Sequence, residues 1–222
     1  MATAYFMEMI AGFTDAEKDQ NHIKTIVYSN PEIPDRTAFV LGRSDEDPVP
    51  SINEAARLLS KMGADVIAIP CITAHCFHKA ITENVDALIL NAVEETALSL
   101  QRDKISKAGI MATDGSLKCG LFRDALKNAE IEALEPSSEV QRLIMELIYD
   151  DIKAGKKADP ERLKKITRHF ADRGSEALIL GCTELSLVNT SIEDIKCYDA
   201  MEILAKASIS RCGYKIREDS SV

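Results

Sequence analysis

The stretch of sequence that decides the fold runs from Gly63 to His75 and reads Gly-Ala-Asp-Val-Ile-Ala-Ile-Pro-Cys-Ile-Thr-Ala-His. A second stretch, from Gly174 to Glu184, reads Gly-Ser-Glu-Ala-Leu-Ile-Leu-Gly-Cys-Thr-Glu and repeats the same order of residue types. A short unbroken apolar run, bounded in this way, is typical of a strand buried on both faces of a parallel sheet. The sequence therefore predicts two equivalent strands, with Cys71 and Cys182 at their carboxyl ends.

The rest of the chain alternates predicted strands with predicted helices. Besides the second copy, the predicted strands are His22–Tyr28, Ala64–Pro70, Asp86–Leu90, Ala108–Ala112, Ile131–Leu134 and Lys196–Tyr198. The predicted helices are Ala2–Gly12, a helix opened by the capping box Ser51–Glu54 and ending near Met62, Ala74–Ile81, Ala92–Gln101, Leu117–Asn128, Glu139–Ala154, Pro160–Arg173 and Ala200–Cys212. This alternation predicts an α/β fold with mostly parallel sheets flanked by helices.

Size, charge and hydropathy exclude several classes of function. A chain of 222 residues with 45% hydrophobic residues suits one large domain or two smaller ones, and the internal repeat favours two. The net charge of -9 argues against nucleic acid or an anionic membrane as a partner. Because no apolar run reaches the roughly 18 residues of a membrane span and no signal peptide is recognisable, we expect a cytoplasmic protein.

The six cysteines show neither metal-binding spacing nor the framework of a small disulfide-rich domain. The four that lie outside the repeat are therefore interpreted as buried apolar residues of a reducing compartment: Cys76, Cys119, Cys197 and Cys212. Four scattered histidines argue against a zinc site, and no phosphate-binding loop is present. We expect no metal and no cofactor.

The two cysteine motifs resemble the paired signatures of a known family. Pro70-Cys71-x-Thr73-Ala74-His75 and Leu180-Gly181-Cys182-Thr183-Glu184 are similar to those of the aspartate/glutamate racemases, the cofactor-independent amino-acid racemases, and the similarity covers nearly the whole chain. The resemblance implies two pseudo-symmetric domains with the active site in the cleft between them. It also implies that the last helix packs back on the first domain, so that residues 1–101 with 200–222 form the N-terminal domain and residues 102–199 the C-terminal domain.

The resemblance also bears on the start of the sequence and on its assembly. In this family a strand and a Gly-Gly-Met-Gly-Pro loop come first, and the segment Met1–Phe6 resembles what directly follows that loop. The sequence therefore either begins after that element or does without it. The resemblance further implies a homodimer that acts on a small amino acid or dicarboxylate.

Two thiols are a plausible set of groups for racemisation. The reaction removes a proton from Cα and returns one to the opposite face, and one residue cannot stand on both faces. The resemblance implies that Cys71 and Cys182 do this together, one as the thiolate base and the other as the thiol acid. The ordinary pKa of a cysteine is about 8.5, and a helix N-terminus or a nearby cation lowers it.

Further site residues follow from the resemblance. Arg36, in Ile-Pro-Asp-Arg-Thr, matches an arginine that binds the substrate carboxylate, although alone it would be read as a solvated loop residue. Lys153 matches a lysine that some members use toward the distal carboxylate, and Thr113 lies in a turn that lines the same cleft. Thr73 and Thr183 either bind the substrate carboxylate or act as helix caps.

Three neighbours of the cysteines leave alternatives open. Ile72 stands where the family usually has an asparagine, and its apolar side chain cannot make the same hydrogen bonds, which suits a less acidic amino acid. His75 either orients groups near Cys71 or is bonded to the backbone of its helix. Glu184 either poises Cys182 or is an ordinary acid of a first helical turn.

Other functions compete with an amino-acid racemase. A related isomerase, such as a maleate isomerase or a hydantoin racemase, would keep this scaffold and use a cysteine differently. A catalytically silent binding protein for an acidic metabolite would fit the departure at Ile72. A redox-responsive protein would need the Cα atoms of Cys71 and Cys182 within about 7 Å of each other.

Overall fold

Two parallel sheets organise the protein, whose computed structural model describes residues 2–83, 85–187 and 195–217. In chain order the strands are β1 (Val66–Ile67), β2 (Leu88–Ile89), β3 (Lys107–Ala112), β4 (Glu132–Leu134), β5 (Ala177–Gly181) and β6 (Lys196–Asp199). One sheet pairs β1 with β2, and the other has the order β4-β3-β5-β6. The predicted α/β class with parallel sheets is therefore confirmed.

Helices flank both sheets. The α-helices are α1 (Ala2–Phe13), α2 (Arg36–Val40), α3 (Val49–Lys61), α4 (His78–Thr82), α5 (Ala92–Arg102), α6 (Asp114–Lys118), α7 (Leu121–Asn128), α8 (Ser138–Glu146), α9 (Pro160–Ala171) and α10 (Ala200–Arg211). A 3-10 helix spans Ile72–Phe77, and a π-helical turn spans Leu147–Ile152. Within the described ranges, no helix combines the length and the apolar character needed to cross a membrane.

The second copy of the repeat forms the central strand that its sequence predicts. All five residues of β5 are buried, as are the last five residues of β3, with which it pairs. Strands that are covered on both faces read as continuous apolar runs rather than as alternating ones, and this explains why the pattern was recognisable.

The first copy forms a much shorter strand than predicted. Only Val66 and Ile67 pair with β2, whereas the apolar run predicted a strand over Ala64–Pro70. The predicted strand His22–Tyr28 is wrong, because residues 23–30 have no regular secondary structure and residues 23–29 make no backbone hydrogen bond to another described residue. A β-rich sequence needs a neighbouring strand to bond to, and β propensity does not supply one.

Helix capping and a glycine explain why several helices differ from their predicted bounds. Arg36 begins α2 instead of lying in a loop, because the Asp35 side chain accepts the N–H groups of Thr37 and Ala38. The predicted helix Leu117–Asn128 is split at Gly120, whose φ of 68° breaks the helical path. The helix opened near Ser51 begins earlier, at Val49.

The last helix packs against α1 and α5, as the resemblance implied. Its side chains Leu204, Ala205 and Ile209 are fully buried in the largest apolar core, which also contains Leu100 of α5. This core continues onto the four-stranded sheet through Ile110. The division of the chain into domains near residues 101–104 stays a prediction.

Two leucines of α5 test how much this core stabilises the fold. Leu100 is completely buried, whereas Leu98 of the same helix is 48% exposed. Leu100→Ala should lower the free energy of unfolding by about 3 kcal/mol, since it leaves a cavity in the core. Leu98→Ala should change it by less than about 0.5 kcal/mol. Urea unfolding of both variants measures the difference, and equal losses would contradict the assigned core.

Candidate active site

Both cysteines of the repeat line a single cavity of about 580 Å³. Cys182 directly follows β5, and Cys71 lies shortly after β1 at the start of the 3-10 helix. The carboxyl ends of parallel strands are where open α/β sheets bind ligands. All eight predicted site residues line this cavity: Arg36, Cys71, Ile72, Thr73, Thr113, Lys153, Cys182 and Thr183.

Arg36 gives the Cys71 side of the cavity a fixed positive charge. Its Nη1 donates hydrogen bonds to the carbonyl oxygens of Ile33 (3.0 Å) and Pro34 (2.9 Å). Burial opposes the charge of the guanidinium, but the Cys71 sulfur, Asp35 and Glu184 together outweigh burial and raise the pKa of Arg36 above its ordinary value. Arg36 therefore places a fixed positive charge next to the Cys71 sulfur.

The environment of Cys182 has the opposite character. This cysteine is 6% exposed, and its Sγ donates a hydrogen bond of 2.9 Å to Oε2 of Glu184. Burial first, and then the adjacent carboxylate, raise the pKa of Cys182 well above its ordinary value, while Lys153 opposes them. Cys182 therefore keeps its proton at neutral pH and suits an acid.

Glu184 is the centre of a small polar cluster. Its Oε2 also accepts the Thr183 hydroxyl at 3.2 Å, and its Oε1 lies 3.9 Å from the Lys153 ammonium. Lys153 in turn lies 4.0 Å from the centre of the Tyr149 ring. Burial opposes the charge of Lys153, but Glu184 and Tyr149 outweigh burial and raise the pKa of the ammonium. Of the two interpretations left open for Glu184, contact with Cys182 is the one observed.

Three buried hydroxyl groups link the first copy of the repeat to the segment that follows β3. Thr73 Oγ1 lies 3.0 Å from Thr113 Oγ1 and 3.1 Å from Ser116 Oγ, and the last two atoms are 3.1 Å apart. Thr113 also caps α6 by accepting the N–H of Ser116. Sequence reasoning missed Ser116, although the Thr-x-x-Ser spacing of a helix cap could have indicated it.

Ile72 and His75 serve the scaffold of the site. Ile72 borders the cavity, but its side chain is 2% exposed and packs in the main core. His75 Nδ1 donates to the carbonyl oxygens of Cys71 (3.1 Å) and Ile72 (3.2 Å), so the backbone-bonded alternative is the one observed. Burial lowers the pKa of His75 to about 4, and the ring is therefore neutral.

A disulfide corrects the interpretation of two further cysteines. Cys76 and Cys119 were expected to be simple packing residues, but they form a disulfide with their Cα atoms 6.0 Å apart. They are 43 residues apart in sequence, and only the packing of the 3-10 helix against α6 brings them together. Cys71 and Cys182 remain free thiols, and Cys212 is exposed rather than buried. Among the described residues, no group of three or more potential ligands is placed to hold a metal ion.

The profile of the Asp/Glu/Hydantoin racemase family matches residues 1–208. The chain belongs to this family. The resemblance to the aspartate/glutamate racemases is thereby confirmed, together with the isomerase class and the two-domain fold of the family.

Relatives of known name fit this assignment. The chain is 26% identical over 198 residues to the broad specificity amino-acid racemase RacX of Bacillus subtilis, covering 88% of this chain and 84% of that protein. It is 28% identical over 160 residues to a glutamate racemase of Aquifex aeolicus, covering 68% of this chain but 59% of that protein. Among solved structures, the aspartate racemase of Picrophilus torridus superposes with a TM-score of 0.84 at 28% identity, covering 98% of this chain and 92% of that one.

The contact between Cys182 and Glu184 gives a pH-dependent prediction for this family member. Only the thiolate reacts with iodoacetamide, so a raised pKa should keep alkylation of Cys182 slow near pH 8 and let its rate rise steadily as the pH is increased. Glu184→Gln removes the negative charge, lowers the pKa and should raise the rate near pH 8 about tenfold.

Peptide-resolved mass spectrometry measures this rate separately for each cysteine. The exposed Cys212 serves as the internal reference, since it lies outside the cavity. An unchanged rate for Cys182 in Glu184→Gln would mean that access, and not charge, controls its reactivity.

Proposed function

We propose that the protein is a cofactor-independent amino-acid racemase in which Cys71 and Cys182 exchange the Cα proton. The observation that carries this proposal is the contrast between the two thiols in one cavity. Cys71 lies beside the Arg36 guanidinium, whereas Cys182 donates its hydrogen bond to the Glu184 carboxylate. One sulfur is thus suited to accept a proton and the other to give one.

The proton transfers balance without a further reactant. The Cys71 thiolate takes the Cα proton and becomes a thiol, leaving its electron pair on Cα. The Cys182 thiol then gives its proton to the opposite face of Cα and becomes a thiolate. The reverse sequence converts the other enantiomer, so the two sulfurs exchange roles and the net charge of the site stays constant.

Arg36 is proposed to hold the substrate carboxylate. Two backbone carbonyl oxygens fix its guanidinium at the cavity, and α2 is held in turn by its Asp35 cap. The guanidinium would also stabilise the negative charge that builds up on the adjacent Cα and its carboxylate when the proton leaves. Thr183 and the Thr73–Thr113 pair are proposed to border the bound substrate.

The environment of Cys182 makes the two directions of the proposed reaction unequal. When Cys71 takes the Cα proton and Cys182 gives one, the negative charge then lies on Cys182, next to Glu184, where a thiolate is disfavoured. Proton exchange or reverse turnover must return a proton to Cys182 before the next turnover in that direction. The homodimer and the cytoplasmic location stay predictions.

Proton exchange in D2O tests this proposal. Single enantiomers of a broad panel of amino acids are incubated with the protein, and Cα deuteration and optical rotation are followed. Cys71→Ala and Cys182→Ala should each lower racemisation by about 10³-fold, the size expected for loss of a general acid or base. Each variant should still deuterate one enantiomer slowly, and the two variants should do so for opposite enantiomers.

Cys212→Ala is the matched control, because Cys212 is exposed and lies outside the cavity. It should racemise at the wild-type rate. Racemisation that survives either cavity substitution would overturn the two-thiol mechanism. A wild-type protein that binds but turns over no amino acid in the panel would favour the binding-protein alternative.

A further inference from the structure

The disulfide between Cys76 and Cys119 joins two short elements that both supply residues to the cavity. Cys76 lies in the 3-10 helix that begins directly after Cys71 and contains Thr73, and Cys119 directly follows α6, which begins after Thr113. Cys71, Thr73 and Thr113 line the cavity, whereas neither cysteine of the disulfide does. The covalent bond therefore connects two walls of the site from outside the space that a substrate would occupy.

Neither element is long enough to hold its own position. The 3-10 helix has six residues, although runs beyond about three or four are uncommon because their hydrogen-bond geometry is poor. The α6 helix has five residues, and helices shorter than about 12 residues are marginal without tertiary support. Cys182, by contrast, directly follows the buried strand β5. The geometry on the Cys71 side of the cavity consequently depends on how the two short elements are held together.

The 3-10 helix, α6 and α2 meet at Gly115. A Cβ atom on Gly115 would lie 3.0 Å from Thr37 Cα in α2 and 3.0 Å from Thr73 Cγ2 in the 3-10 helix. The Gly115 carbonyl oxygen also lies 3.9 Å from the Sγ atom of Cys76. Because α2 begins with Arg36, a displacement of α6 would disturb the supports of both Arg36 and Thr73, and the disulfide opposes such a displacement.

We propose, on the basis of the proposed racemase function, that the Cys76–Cys119 disulfide is a redox-sensitive cross-link that positions the Cys71 side of the cavity, so that its reduction lowers turnover. A dithiol reductant supplies two electrons and two protons, the S–S bond is converted to two thiols, and the reductant becomes a disulfide. Cys76 and Cys119 act as positioning residues, through the elements that carry Cys71, Thr73 and Thr113.

The cross-link is separate from the two proposed catalytic thiols. Cys76 and Cys119 are both partly exposed and lie outside the cavity lining, so a small dithiol approaches them without entering the site. Cys71 and Cys182 are free thiols, and a reductant therefore leaves their covalent state unchanged. Disulfides of cytoplasmic proteins are usually transient and redox-sensing, so the predicted location favours a bond that responds to the redox state.

Turnover before and after reduction tests the inference. The kcat/KM for Cα proton exchange in D2O is measured for the oxidised wild type and for the same protein in dithiothreitol. Alkylation of the unfolded chain, followed by mass spectrometry, should count four thiols in the first sample and all six in the second. Reduction should lower kcat/KM about tenfold, since a misplacement of about 1 Å can cost up to about 10²-fold.

Hydrogen exchange separates positioning from a general loss of stability. In the reduced protein the amides of residues 71–77 and 113–119 should exchange about tenfold faster, because these elements then open locally. The amides of β3 and β5 should exchange at unchanged rates, since the cross-link lies outside both strands. A uniform rise over the whole chain would mean that the disulfide only stabilises the fold, and this result would overturn the inference.

The double variant Cys76→Ser with Cys119→Ser provides an independent test. It should show the low kcat/KM of the reduced wild type and should not respond to dithiothreitol. Cys212→Ser is the matched control, because Cys212 is an exposed free thiol outside the cavity, and it should respond as the wild type does. A double variant that keeps the wild-type kcat/KM, or one that still responds to the reductant, would contradict the proposed role of the disulfide.

The outcomes distinguish this inference from the proposed function. Equal racemisation by the oxidised and the reduced protein, with all six thiols counted in the latter, contradicts the inference and leaves the racemase function standing. If neither form racemises any amino acid, the proposed function fails, while hydrogen exchange still decides whether the disulfide fixes the two elements.

Discussion

The parallel pairing of β3 with β5 is the constraint on which the site depends. Five residue pairs lie in register, from Ala108 with Ala177 to Ala112 with Gly181, and all ten residues are buried. The register fixes what comes next along both strands. Thr113 and Cys182 directly follow the last pair and therefore emerge side by side at the carboxyl edge, where the cavity lies.

Close packing holds that register in place. A Cβ atom on Gly109 would come within 2.5 Å of the Phe170 ring, and one on Gly181 within 2.5 Å of the Phe122 ring. Helices on the two faces of the sheet thus approach the backbone more closely than an alanine would allow. Cys182 is the first residue after this closely packed strand, so its backbone is anchored where the strand ends, which suits a group that must meet a Cα atom within a fraction of an ångström.

The sequence predicted the structural features that depend on local residue patterns, but it did not predict those that depend on contacts between distant parts of the chain. The repeat located Cys71 and Cys182, and the unbroken apolar run identified β5, because burial on both faces leaves a signature in the sequence. No such signature exists for the disulfide between Cys76 and Cys119, whose partners meet only through helix packing. The segment 22–28 has the composition of a strand, yet a strand also requires a partner, and composition does not show one.

Glu184 joins two properties of the site that are usually treated separately. Its Oε2 accepts a hydrogen bond from the Cys182 thiol, and its Oε1 forms an ion pair with Lys153. One carboxylate therefore influences both the proposed acid and the charge of the cavity lysine. Lys153 opposes the effect of Glu184 on the pKa of Cys182, so the charge of the lysine also influences the sulfur. In the proposed mechanism, therefore, the acid and the cavity lysine are coupled through one carboxylate, and a change in the charge of either Lys153 or Glu184 alters the ease of proton transfer from Cys182.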